Sequence, residues 1–173
     1  LMDKVNKKYY YDKNGKGFGC AEQNEYKRVG YLQGDGASWL DVGQFDFNSN
    51  TKLEVTIAQP EWRSVRECII NNSGNLLLTL FDYGGRLSYR AGSVYGGDFT
   101  GIGIKTNTIH TLTLSQSEIT RDGVHLGKPE NVANIGLSNI YLLKEWSINT
   151  THATAISKLY SFKIYQSDEL VFD

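Results

Sequence analysis

Hydrophobic side chains in this chain return at every second position, with almost no run at helical spacing. Leu53, Val55 and Ile57 alternate with Lys52, Glu54 and Thr56, the pattern of a strand with one buried and one wet face. His110, Leu112 and Leu114 share one face of a second strand, which marks His110 as a hydrogen-bonded core residue. Tyr160, Phe162 and Ile164 alternate with Ser161, Lys163 and Tyr165, and Leu170-Val171-Phe172 closes the series. Leu76 to Phe81 is a continuous apolar run, short enough for a strand covered on both faces, and Ile140 to Leu143 is a second buried-type strand. Asp122-Gly123, inside Glu118 to Leu126, accepts the positive φ angles of a type I′ hairpin. Gly84-Gly85 and Gly96-Gly97 are assigned as turns as well. Roughly ten strands, turn-rich spacers and only two prolines predict an all-β fold, an antiparallel β-sandwich.

The chain has 173 residues, enough for one domain with a sizeable core. Residues 28–173 form the predicted sandwich, and residues 1–27 an N-terminal lead-in segment, a short hairpin or linker. In the lead-in, Tyr9-Tyr10-Tyr11 is followed by Asn14-Gly15, a strong hairpin signal. Asp12, Asn14 and Gly17 mimic the front of a calcium loop, but Lys16 takes its fifth position and Gln23 stands where a bidentate Glu is required, so the turn prevails. The first 28 residues carry seven Lys/Arg against four Asp/Glu, an excess suited to a solvated segment. Net charge is −1, which gives no reason to expect nucleic acid or acidic lipid as a partner. No run of about 20 apolar residues exists, so membrane insertion by a helix is not expected. The chain opens on Leu1, and the expectation is a module cut from a larger protein. Cys20 and Cys68 form no metal-binding spacing; they could bridge in an oxidising compartment, but Cys68, in Glu-Cys-Ile-Ile, is expected to pack as a small hydrophobe.

Two end segments carry a resemblance. Tyr31-Leu-Gln-Gly-Asp-Gly-Ala-Ser-Trp-Leu-Asp-Val-Gly43 and Lys158-Leu-Tyr-Ser-Phe-Lys-Ile-Tyr-Gln-Ser-Asp-Glu-Leu-Val-Phe172 each show a strand, a polar turn and a second strand. They resemble the opening and closing hairpins of a concanavalin A-like (laminin G-like) jelly roll of the kind found in gut-bacterial and phage surface proteins. Asn50 to Ile57, Ile109 to Leu114 and Ile119 to His125 are similar to strands of that family in order and spacing, so the likeness spans residues 28–173. Trp39 stands where the family usually has Tyr. The resemblance implies that the first and last strands lie side by side. The family holds lectins, glycan-binding modules and glycosidases, so membership does not choose a function.

A glycosidase needs two carboxylates about 5–10 Å apart. The compact Glu-x-Asp-x-x-Glu type motif of the fold's retaining β-glucanases is missing, and Glu61 and Glu67, if extended, stand about 20 Å apart. The three histidines fall on different elements, and no nucleophile elbow or phosphate loop is present, so an enzyme is not expected. For calcium, Asp35, Asp41, Asp82 and Asp98 are the loop carboxylates available, without a dense cluster; no cofactor is assigned, with calcium as the secondary possibility. Glycan binding needs aromatic faces for C–H surface and polar groups for hydroxyls. Tyr83, Tyr95 and Asp98 in glycine-rich segments, with Trp62 and Arg63 after Pro60, are the candidate ligand-binding residues. Trp39 and Trp146 lie in strand patterns and lean toward the core.

The function expected is a non-catalytic binding or adhesion module that recognises a glycan or surface polysaccharide. It would belong to a larger extracellular protein, on a bacterial cell surface or virion. The alternative is a structural or protein-interaction module contacting other subunits of such an assembly. Asn71-Asn-Ser73 and Asn149-Thr-Thr151 match glycosylation acceptors, relevant only in a secreted eukaryotic chain.

Overall fold

A computed structural model describes residues 10–11, 17–18, 30–61, 66–72, 75–81, 86–91, 94–99, 104–128, 136–144 and 152–173. In chain order the strands are β1 Tyr10–Tyr11, β2 Gly17–Phe18, β3 Leu32–Gln33, β4 Trp39–Phe47, β5 Thr51–Ala58, β6 Arg66–Asn72, β7 Asn75–Phe81 and β8 Arg86–Ala91. They continue as β9 Val94–Phe99, β10 Ile109–Ser115, β11 Ile119–Arg121, β12 Val124–Gly127, β13 Gly136–Leu142, β14 His152–Thr154, β15 Lys158–Gln166 and β16 Glu169–Phe172. A nine-stranded sheet runs β2-β1-β4-β13-β6-β7-β8-β9, with β14 parallel to β6. A seven-stranded sheet runs β12-β11-β10-β5-β15-β16, with β3 also on β15. Apart from β14, the pairings among the described residues are antiparallel. The molecule is an all-β antiparallel sandwich of the jelly-roll class.

Its core follows from the alternation. In β5 the apolar positions Leu53, Val55 and Ile57 are each at most 1% exposed, while Lys52, Glu54 and Thr56 between them are not buried. Register places Val55 beside Leu112 of β10 and Phe162 of β15, and Leu53 beside Leu114 and Ile164, so three strands present one apolar face. Phe47, Ile140 and Leu142 of the nine-stranded sheet belong to the same cluster. Each fully buried side chain of this size contributes about 1.5–3 kcal/mol. Phe172 lies 5.6 Å from Phe45 and 6.0 Å from Phe162, ring centre to ring centre, and so joins the two sheets.

His110 sits on the inner face, 6% exposed, opposite Ile57. Its Nε2 accepts the Lys105 N–H at 3.3 Å, so Nδ1 carries the proton and donates to Asp122 Oδ2 at 2.7 Å. Burial pushes the Asp122 carboxyl up, but the bonds from His110 and the Thr111 N–H, with the charge of Arg121, hold it below the ordinary 3.8. The expected hydrogen-bonded core histidine is present. So is the type I′ turn, with Asp122 at φ 52° and Gly123 at φ 77°.

Several expectations are corrected. The strands number sixteen among the described residues, because pieces of two or three residues such as β1, β3 and β14 are held by register rather than by sequence pattern. The opening segment is no hairpin: β3 lies in the seven-stranded sheet and β4 in the nine-stranded one. Between them Asp35 accepts the N–H groups of Ala37 and Ser38 at 2.8 and 2.6 Å, turning the chain from one sheet to the other. Gly96-Gly97 is no turn but lies inside β9. The closing segment is the hairpin expected, while β3, the first strand of the sandwich, pairs with the penultimate strand β15 rather than with the last strand β16. Cys68 is fully buried in β6, and Cys20 lies outside the described residues.

Candidate functional site

The five residues singled out from sequence fall in three places. Trp62, Arg63 and Tyr83 lie outside the described residues. Tyr95 and Asp98 stand on β9 rather than in a loop, because Val94 to Phe99 pairs along β8. The ladder sets Asp98 opposite Ser88 and Tyr95 opposite Arg90, skipping Gly96.

A second group, on the outer face of the nine-stranded sheet, comes together more closely. In β4, Leu40 and Val42 pack toward the core, so Trp39 and Asp41 have the opposite parity and face outward. In β13, Ile140 and Leu142 are 1% and 2% exposed, and Tyr141 between them is only half-buried. Register pairs Tyr141 with Asp41, and Asn139 with Gln44. Between these pairs β4 bulges at Val42-Gly43; Gly43 takes φ +101°, where an L side chain is strained, and donates its N–H to Asp41 Oδ1 at 3.0 Å. Asn139 Nδ2 donates to the Tyr141 hydroxyl at 3.3 Å.

Lys144 completes the group. Its ammonium lies 3.7 Å from the centre of the Tyr141 ring and 5.1 Å from that of Trp39. Leu143 makes this possible: it stands at φ 63°, a left-handed conformation that costs a branched aliphatic residue about 1–2 kcal/mol. The Leu143 side chain is 3% exposed, its N–H donates to Ile69 O at 2.8 Å, and its carbonyl accepts from Ala155 N at 3.2 Å. The kink leaves both Leu142 and Leu143 in the core and returns Lys144 to the outer face. The result is two aromatic rings, an ammonium and the amides of Asn139 and Gln44 along adjacent strands. This set can stack on C–H surface and hydrogen-bond hydroxyls. Parity in Trp39-Leu40-Asp41-Val42 carried the signal for Trp39, which is half-buried rather than core; Trp146 lies outside the described residues.

Other candidates are committed elsewhere. Glu67 is 2% exposed and accepts from Gln59 Nε2, while Ser157 Oγ donates to Gln59 Oε1 at 2.5 Å. This buried chain of polar contacts ties β5 to β6. Among the described residues no three His, Cys, Asp or Glu side chains converge as a metal site. Of the four carboxylates considered for calcium, Asp35 and Asp41 turn to backbone N–H groups, Asp98 lies on β9 and Asp82 is outside the described residues. Asn71, a sequon acceptor by sequence, is 3% exposed, opposite Tyr141.

No protein-family model matches the sequence, and no curated protein matches it either. Among solved structures the chain is similar to Trypanosoma rangeli sialidase in complex with sialic acid, at 14% identity and TM-score 0.57 over 82% of this chain and 26% of that one. The chain therefore spans about a quarter of the sialidase's length. It is also similar to domain 4 of a GH43 extracellular arabinanase from Geobacillus stearothermophilus, in complex with arabinotriose, at 12% identity and TM-score 0.56. That likeness covers 95% of this chain and 93% of the domain. At these identities what is shared is the fold, a β-sandwich.

Proposed function

We propose that this chain is a laminin G-like, non-catalytic carbohydrate-recognition module of a larger cell-surface or phage-tail protein. Its sugar lies on the outer face of the nine-stranded sheet. One observation carries the proposal: Trp39 and Tyr141 stand half-buried on the outer side of that sheet, gathered by Lys144 and flanked by Asn139 and Gln44. Aromatic rings on a sheet surface give a sugar's C–H face a partner, and the amides supply direction for its hydroxyls. Glu67, the one carboxylate near Glu61 in sequence, is spent on Gln59 inside the protein, which leaves that pair no catalytic role. Neighbours of the same fold include one solved with sialic acid and one with arabinotriose, consistent with this use of the scaffold.

A glycan array on the purified chain, with and without calcium, tests the proposal. Trp39→Ala and Tyr141→Ala should each weaken binding by about tenfold or more, the loss typical of a central aromatic contact. Trp62→Ala and Tyr83→Ala, run beside them, separate this face from the residues first suggested by sequence. A blank array sinks the proposal. The alternative, a module that docks other subunits, draws on the exposed Leu170 and Val171 of edge strand β16; light scattering showing a stable oligomer would favour it.

A further inference from the structure

Resting on the glycan reading above, we infer that the sugar recognised is anionic, bearing carboxylate or sulfate, and that Lys144 is the residue that reads its charge. Three observations lead there. The ammonium of Lys144 sits over both rings of the platform, at 3.7 and 5.1 Å from their centres, so a sugar stacked there meets it directly. Among the described residues no carboxylate forms an ion pair with it. Asp41, the acid across from Tyr141, points Oδ1 at the Gly43 N–H instead. And the position of Lys144 is built: it follows Leu143, held at φ 63° by hydrogen bonds to Ile69 and Ala155 with its side chain in the core. A strained, anchored residue next to a surface lysine fixes where that lysine emerges.

A half-buried ammonium resting on aromatic faces keeps only part of its hydration, and an incoming anion completes its coordination with charge-assisted hydrogen bonds. A neutral sugar stacked on the same rings offers the ammonium only hydroxyls in place of that lost hydration. Carboxylate and sulfate share the required chemistry, so both are probed.

The test is an array of matched pairs: uronate oligosaccharides beside their methyl esters, and sulfated glycans beside the desulfated forms. Wild type should prefer the charged member of a pair by about tenfold or more. Lys144→Gln should bring the charged member down to the level of the neutral one, while Lys144→Arg keeps the preference. Binding of the charged member should also weaken as salt rises from about 0.05 to about 0.5 M. Whether the uronates or the sulfated glycans bind then identifies the anion. Equal binding of both members, or a preference unmoved in Lys144→Gln while Trp39→Ala abolishes binding, overturns the inference but leaves the glycan reading standing. No binding to any glycan, charged or neutral, overturns both.

Discussion

At Gly34 the structure leaves no room for a side chain, and Gly34→Ala is a sharp test of how β3 docks. A Cβ there would stand 2.0 Å from the Ala155 carbonyl oxygen, 3.0 Å from its carbon and 3.3 Å from Ile156 Cα. All three are backbone atoms, so no side chain can swing aside. The Gly34 N–H also donates to Ser157 O at 3.1 Å, and β3 beyond it holds β15 through Leu32↔Leu159 and Gln33↔Lys158. Overpacking costs about 1–3 kcal/mol, and the hydrogen bond lost as β3 withdraws adds about 1 kcal/mol. The total is about 2–4 kcal/mol; β3 is short and at the edge, so detachment caps the cost. For a chain of this length that lowers Tm by about 5–15 °C. Urea denaturation gives the free energy, and hydrogen exchange should show lost protection at Leu32, Gln33 and Leu159 while β5 and β10 keep theirs. Gly30→Ala is the control, because nothing lies within 4 Å of its added Cβ. Gly34→Ala within about 0.5 kcal/mol of wild type, with protection unchanged, would refute the packing.

Other outcomes follow from the same contacts. Ile57→Ala, at a fully buried position between β10 and β15, should cost about 2–5 kcal/mol by urea denaturation, against less than about 1.5 for Ile57→Val. Asp122 and Asp35 are both held below the ordinary 3.8, Asp35 chiefly by the N–H groups of Ala37 and Ser38. Their stabilisation is therefore complete above about pH 5 and lost as the pH falls through their folded values below 3.8; a urea midpoint measured from pH 7 to pH 3 should fall, and fall less steeply in Asp122→Asn. Gly43→Val should destabilise through φ +101° although its Cβ meets nothing, and should shift the Trp39 fluorescence by disturbing the β4 bulge.

Much of the fold was legible because burial in a sheet imposes a period of two. Leu53-Val55-Ile57, Leu112-Leu114 and Phe162-Ile164 declare their faces, and Asp122-Gly123 declares its turn. Where register alone decides, the sequence is silent: β3 and β4 read as one hairpin because nothing local says that Asp35 turns the chain across the sandwich. Gly96-Gly97 reads as a turn by sequence because glycine marks bulges as well as turns, and only the β8 ladder distinguishes them. The candidate site was partly readable. Trp39 shares parity with Asp41 rather than with Leu40 and Val42, which places it outside, but strand membership alone suggested core. Lys144 could not be found that way, since the left-handed Leu143 breaks the alternation at that point.

The claim that the Trp39–Tyr141 face binds sugar is tested most directly by locating the contact. An amide and indole N–H NMR titration with the strongest array ligand does this without any mutation. Shifts should concentrate at the Trp39 indole and the amides of Asp41, Asn139, Tyr141 and Lys144, with the far sheet still. Shifts centred instead on Thr56, Thr111 and Ser161, which lie level on the outer side of the seven-stranded sheet, would contradict it.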